Sequence, residues 1–447
     1  MKIALLRGFL LLNGLFLAAL SNARESAFPL HLTLGGEAVL DSNANRSPIE
    51  SEELEELQLS TFLSLFGAYD EHEKFRADVD YRWSRTEYQE DSQQEDSTLR
   101  GQAALNFGGA SDFYALRLSH DSSVLLVDPV GDDVQANRED RNTLTAALTL
   151  RTLPQRPNQF SLTASQSNVY FDENELNDTE SKTVQLSYTR LMTALNTGGF
   201  SLSLTDVKYP NFPSGEYDNT LIYAYFQRQL RALDYYLALG MNKTSTAIED
   251  SHSPYALFSL GYVSGRGQFD VSASRQVTDN SRGASAGRNF VTQDLQALEE
   301  ELEQGAIVDG SLASRDQIDR TTFRLGYSAQ VLCARCNTSV SLTQRDDEFF
   351  NTPSLNSEDL DAIIGIGYRA TRQSTVNLSI RHLAFSFTEQ DNPNNYTQNS
   401  VRLAWFWSSA VTGLRFGTFV SALERNFDEG GSYSGFEYGA SLSYQLF

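Results

Sequence analysis

Methionine is scarce in this chain, at 3 residues, as are tryptophan at 3, histidine at 5 and cysteine at 2. Scattered histidines and one cysteine pair leave nothing to complete a zinc site, and no metal-ligand spacing or cofactor motif occurs. The pair is Cys333-Ala-Arg-Cys336, followed by Asn337 where haem attachment would need His. In an exported protein it reads as a disulfide, Cys333 to Cys336. Positive charge is short as well: 35 Lys and Arg stand against 58 Asp and Glu, a net charge of −23. That balance excludes a nucleic-acid partner. Beyond residue 23 no uninterrupted apolar run is long enough for a membrane helix, so the mature chain crosses a bilayer as a closed barrel or not at all.

What is plentiful points to strands. The chain carries 20 Tyr and 27 Phe with only 10 Pro among many Ser, Thr, Leu and Gly. Residues 75–83 set the pattern. Phe75, Ala77, Val79, Tyr81 and Trp83 alternate with Arg76, Asp78, Asp80 and Arg82, which puts apolar groups on one face and charge on the other. Runs of this kind, each about ten residues long, recur to the C-terminus, giving roughly 18–20 strands.

The first 23 residues read as a signal peptide. Lys2 and Arg7 precede an apolar run, and Ser21-Asn22-Ala23 offers a small-x-small cleavage site. Residues 24–447 then form one domain. Its connections alternate between short ones (69–73, 108–112, 196–199, 264–267, 333–336) and long polar ones (41–56, 84–98, 121–142, 242–254, 277–320, 425–435). Short turns on one side and long loops on the other are how outer-membrane barrels are built. The expected fold is all-β: a transmembrane antiparallel up-and-down barrel, with short periplasmic turns and long extracellular loops. Within loop 277–320, Leu295, Leu298 and Leu302 lie at helical spacing before Gly305, so a short acidic helix is expected there. The acidic loops read as solvated rim; as cation ligands they lack a fixed spacing.

Nucleophile motifs are absent, and no catalytic residue is expected. His120-Asp121 is the nearest approach to a catalytic pair, but neighbours on a strand face opposite ways. The informative face is the polar one. Arg76, Asp78, Asp80, Arg82, Arg100, Arg117, Arg324, Arg381, Arg402 and Arg415 lie opposite apolar positions, and charge facing lipid is costly, so they are expected to line a lumen. A barrel of this size is too wide for side chains alone to fill. Arginine outnumbers acid on these faces, which suits an anionic or hydroxyl-rich solute.

After the first strand the chain reads Gly35-Gly-Glu-Ala-Val-Leu-Asp-Ser-Asn-Ala-Asn45, followed by an acidic loop and the Tyr81-Arg82-Trp83 strand. This order resembles outer-membrane β-barrel proteins encoded with exopolysaccharide-synthesis or exosortase (PEP-CTERM) gene clusters. The resemblance implies a conduit for polysaccharide export across the outer membrane, working with periplasmic export components. A general or substrate-selective porin is the alternative, and a structural or adhesive barrel the third reading. Outer-membrane lipid, lipopolysaccharide and the barrel-insertion machinery are the other expected partners. The C-terminus resembles the signal read by that machinery in ending on Phe447, although Leu446, Tyr444 and Leu442 fall one out of step with it.

Overall fold

In the computed structural model the period-two segments become twenty strands, each antiparallel to its neighbours. The structure describes residues 30–47, 53–71, 74–90, 93, 95–109, 112–126, 138–152, 157–172, 174–246, 250–279, 317–330, 333–388, 394–409, 412–428 and 431–446. The first strands are β1 (Leu30–Asp41), β2 (Glu56–Glu71), β3 (Phe75–Tyr88), β4 (Asp96–Phe107) and β5 (Tyr114–Leu126). Next come β6 (Arg138–Arg151), β7 (Asn158–Phe171), β8 (Thr179–Thr193), β9 (Asn196–Lys208) and β10 (Tyr217–Gln229). They are followed by β11 (Leu233–Thr246), β12 (Asp250–Ser264), β13 (Gly267–Asp279), β14 (Gln317–Ala329) and β15 (Cys336–Phe349). The last are β16 (Ser357–Arg369), β17 (Ser374–Phe387), β18 (Tyr396–Ser408), β19 (Leu414–Phe427) and β20 (Ser432–Gln445).

Every strand pairs with its chain neighbours, and β1 pairs with β20 as well as β2, so the sheet closes into a barrel. Closure removes the unpaired edges that an open sheet exposes. At the seam Thr33 lies opposite Gln445 and Asp41 opposite Glu437. Arg46, at φ 53, fastens its long-loop end. Its Nη2 lies 3.0 Å from Asp41 and 3.4 Å from Glu437. Beside it, Asn43 Nδ2 donates to the carbonyls of Ser47 and Ser434, both at 3.0 Å.

Alternation sets what faces out. On β8 the outer positions, taken from the short-turn end, are Tyr188, Leu186, Val184, Lys182 and Glu180. On β9 they are Phe200, Leu202, Leu204, Asp206 and Lys208, and on β11 Tyr235, Leu237, Leu239, Met241 and Lys243. The same order holds each time: one aromatic, an aliphatic band, then charge. Six to eight residues of strand span the band, about 20–26 Å along the strand at ~3.3 Å per residue. Aromatics at the short-turn end also touch from strand to strand, as in Tyr69–Phe75, Phe75–Phe107, Phe160–Tyr188, Tyr188–Phe200 and Phe226–Tyr235. An aliphatic band bordered by an aromatic belt is the outer surface of an outer-membrane barrel.

Several boundaries differ from the sequence reading. Strands run from 12 to 16 residues, longer than the expected ten. The expected long loop 242–254 loses both its ends to strand, because β11 continues through Thr246 and β12 begins at Asp250. Likewise β19 and β20 leave only 428–431 of the expected loop 425–435. Polar strand ends look like loop in sequence, yet backbone pairing continues past the apolar band. Loop 277–320 loses its ends to β13 and β14; its centre, with the expected helix, lies outside the described residues, as do the signal segment and Phe447. On β20 the outer positions are Leu442 and Tyr444, continued by Leu446, all exposed.

Candidate functional site

Because neighbouring strands are in register, one face of each strand contributes to a common inner wall. Leu63, Trp83 and Leu99 stand opposite one another on the exposed apolar side, so Arg82 and Arg100, also paired opposite each other, share the inner side. Arg76, Asp78 and Asp80 follow on β3, and Arg117 on β5 faces Asn106 of the same wall. Arg324, Arg381, Arg402 and Arg415 take the same face on β14, β17, β18 and β19, opposite the exposed Phe323, Ile380, Leu403 and Val420 side. The ten residues thus occupy one continuous surface.

Two of these arginines are held in matching settings. Phe62 on β2 lies across Gly35 of β1, where an added Cβ would come within 2.2 Å of the ring. The Arg82 guanidinium stacks on that ring, 4.0 Å from its centroid. Across the seam Phe419 lies over Gly439, where a Cβ would meet the ring at 2.1 Å, and Arg402 stacks on it at 3.9 Å. Only glycine lets the rings lie flat enough to present a face to each cation. Glu37 sits between them, within electrostatic reach of both Arg82 and Arg402.

Around these two shelves lies a cavity of about 650 Å³. It is lined by five arginines (Arg82, Arg369, Arg372, Arg402 and Arg415), with Glu37 its only carboxylate among many hydroxyl and amide groups. Elsewhere on the wall several arginines are paired with acids. Arg320 bonds Asp347 at 2.7 Å, Arg345 bonds Asp359 at 2.5 Å, and Arg381 bonds Asp361 at 2.9 Å, forming a ladder of ion pairs toward the long-loop end. Arg76 bonds Asp78 at 2.9 Å. Within this cavity arginine outnumbers carboxylate five to one, whereas several arginines elsewhere on the wall are paired with acids.

His120 and Asp121 do point to opposite faces, with His120 bonded to Tyr81 on the outer side. Cys333 and Cys336 are joined as a disulfide inside the β14–β15 turn. Among the described residues no group of three or more metal-ligating side chains comes together. Two features escaped the sequence reading: the phenylalanine shelves, whose partners come from different strands, and a long uncharged stretch of inner wall across β7 to β12. A run of inner-face Ser, Thr and Tyr on consecutive strands was the available signal for the second.

No protein-family description matches the sequence, and no curated protein matches it. Among solved structures, the FrpB iron transporter of Neisseria meningitidis aligns at TM-score 0.48 and 10% identity, over 93% of this chain and 82% of that one. The siderophore receptor PirA of Pseudomonas aeruginosa gives 0.47 and 10%, over 95% and 81%. The outer membrane protein opdK of Pseudomonas aeruginosa gives 0.40 and 9%, over 94% and 100%. These are likenesses of barrel to barrel, and no substrate is carried over from them. The class of protein follows from the chain's own closed wall, aliphatic band and aromatic belt: an outer-membrane β-barrel.

Proposed function

We propose that the barrel is a porin, a passive passage for small polar solutes that favours anions. The observation that carries this reading is the cavity in which five arginines face one carboxylate. Stacking on Phe62 and Phe419 orients two of those cations within the cavity. A cluster of one sign in a narrow space raises the local concentration of the opposite charge. Export of exopolysaccharide finds no support in the comparisons, and an arginine-lined cavity of this size suits small solutes better.

The test is the reversal potential of the purified protein in planar bilayers under a KCl gradient. We expect chloride to be favoured over potassium, and the Arg82→Ala/Arg402→Ala double variant to lose most of that preference. A protein that conducts without anion preference, or never conducts, would sink the reading.

A further inference from the structure

The inner wall is divided by chemistry. From β14 through β20 and on to β5 it carries the arginines and acids described above. From β7 to β12, every inner position on the strands is uncharged except Asp234 near a short turn. In a ring of twenty strands, β11 stands opposite β1, so the uncharged wall faces the arginine cavity across the interior.

On that wall four tyrosines form a ribbon. Tyr255 of β12 meets Tyr223 of β10 with ring centroids 5.1 Å apart. Tyr223 meets Tyr225 at 6.3 Å, and Tyr225 stacks on Tyr236 of β11 at 5.8 Å with an interplanar angle of 21°. All four lie on inner positions, since Tyr223 pairs with Gly240 and Ser201, and Gly240 with Tyr255, while the exposed Ile222, Leu239 and Met241 take the outer side. Each of the four is half-buried. Tyr225 crosses Gly199, where a Cβ would stand 2.9 Å from the ring, and its hydroxyl bonds Thr189. Beside the ribbon runs a chain of neutral hydrogen-bonding groups. Gln185 Nε2 donates to Ser201 Oγ at 2.8 Å, and Ser201 and Ser187 share a bond at 2.9 Å.

We infer that this ribbon is a binding surface for neutral, hydroxyl-rich rings, that is, for the sugar units of a short saccharide. A pyranose has a C–H face that stacks on an aromatic ring and a rim of hydroxyls that need donors and acceptors. The ribbon supplies the first; the half-buried Gln185 and Ser187, held in place by the buried Ser201 hydroxyl between them, supply the second. Apart from Asp234 near the turn, this stretch carries no inner charge, so the ribbon itself has no ionic side chain to compete for the ligand. A purely structural role would need the tyrosines only to fill gaps over small residues. It would not require four rings from three strands to meet in one continuous series beside an uncharged polar chain.

The inference rests on reading the interior as a solute passage, but its test does not depend on conduction. Maltotriose is mixed with the detergent-solubilised full chain, and saturation-transfer NMR reports magnetisation passing from protein to sugar. We expect transfer with the wild type, and binding about tenfold weaker in the Tyr225→Ala/Tyr255→Ala variant, from loss of two stacking faces. Tyr255→Phe keeps the ring and is expected to retain transfer. Heat-modifiable migration on gels confirms that each barrel has folded; if the double variant does not fold, Tyr255→Ala alone gives the same comparison. No transfer to maltotriose, or equal transfer in the wild type and the alanine variant, overturns the inference. Chloride preference without sugar transfer defeats this inference alone. Sugar transfer without chloride preference defeats the anion reading and leaves this one standing.

Discussion

Gly35 and Gly439 show how one missing side chain can position a charge several bonds away. Each lets a phenylalanine from the adjoining strand lie flat, and each phenylalanine carries an arginine on its exposed face. A Val at position 439 would occupy the space of the Phe419 ring. We expect Gly439→Val to cost about 1–3 kcal/mol through overpacking, read as a lower unfolding temperature in the heat-modifiability assay. It should also weaken chloride preference, since Arg402 loses its platform. If the variant were less stable but equally selective, the shelf would matter for packing only. Arg82 and Arg402 were readable from sequence as inward-facing cations because parity alone puts them opposite apolar neighbours. Their platforms were not readable, because Phe62 and Gly35 lie on separate strands and Phe419 and Gly439 meet only through register.

At the level of a strand, β8 is a compact statement of the wall. Tyr188, Leu186 and Val184 face out, while Ser187, Gln185 and Thr183 face in, with Lys182 and Glu180 beyond the apolar band. A charge placed on the two faces should therefore have opposite consequences. Leu186→Arg puts a guanidinium in the aliphatic band, and we expect it to destabilise folding into lipid vesicles by about 2–4 kcal/mol. Ser187→Arg, one residue on, should be close to neutral because it faces the interior. Urea titration of vesicle-inserted protein distinguishes them; equal penalties would mean that the faces are assigned the wrong way round. Strand ends were the less legible part. Residues 242–254 contain Asn, Lys, Ser, Thr, Glu, Asp and His, a loop-like composition, yet the described ones, 242–246 and 250–254, join the ladder. Outside the bilayer a strand needs no apolar face, so its hydrophobic pattern stops while its hydrogen bonds go on.

For the whole molecule the decisive contact is the seam. Asp41 is 1% exposed, and Arg46 holds it together with Glu437 across the join of first and last strands. Removing Arg46 leaves a buried carboxylate unmatched. We expect Arg46→Ala to cost about 3 kcal/mol, measured as a fall in barrel unfolding temperature, with Arg46→Lys recovering part of it. An unchanged unfolding temperature would show that backbone pairing of β1 with β20 closes the barrel unaided. The division of the interior into an ionic wall and a neutral tyrosine wall also exists only at this scale, since it joins strands from both halves of the chain.

The amphipathic ribbon at residues 75–83 and its counterparts were sufficient to specify strands, their two faces and a closed membrane barrel. That much follows from period-two alternation, a local property that each segment carries within itself, and from the requirement that every backbone group in a bilayer be paired. The matching of arginine to carboxylate in Arg320–Asp347 and Arg345–Asp359, the gathering of five arginines around one cavity, and the joining of Tyr223, Tyr225, Tyr236 and Tyr255 were decided by the tertiary structure. Alternation tells which side a residue faces. Only inter-strand register and closure, set by turn lengths and strand extensions, determine which residues it stands beside.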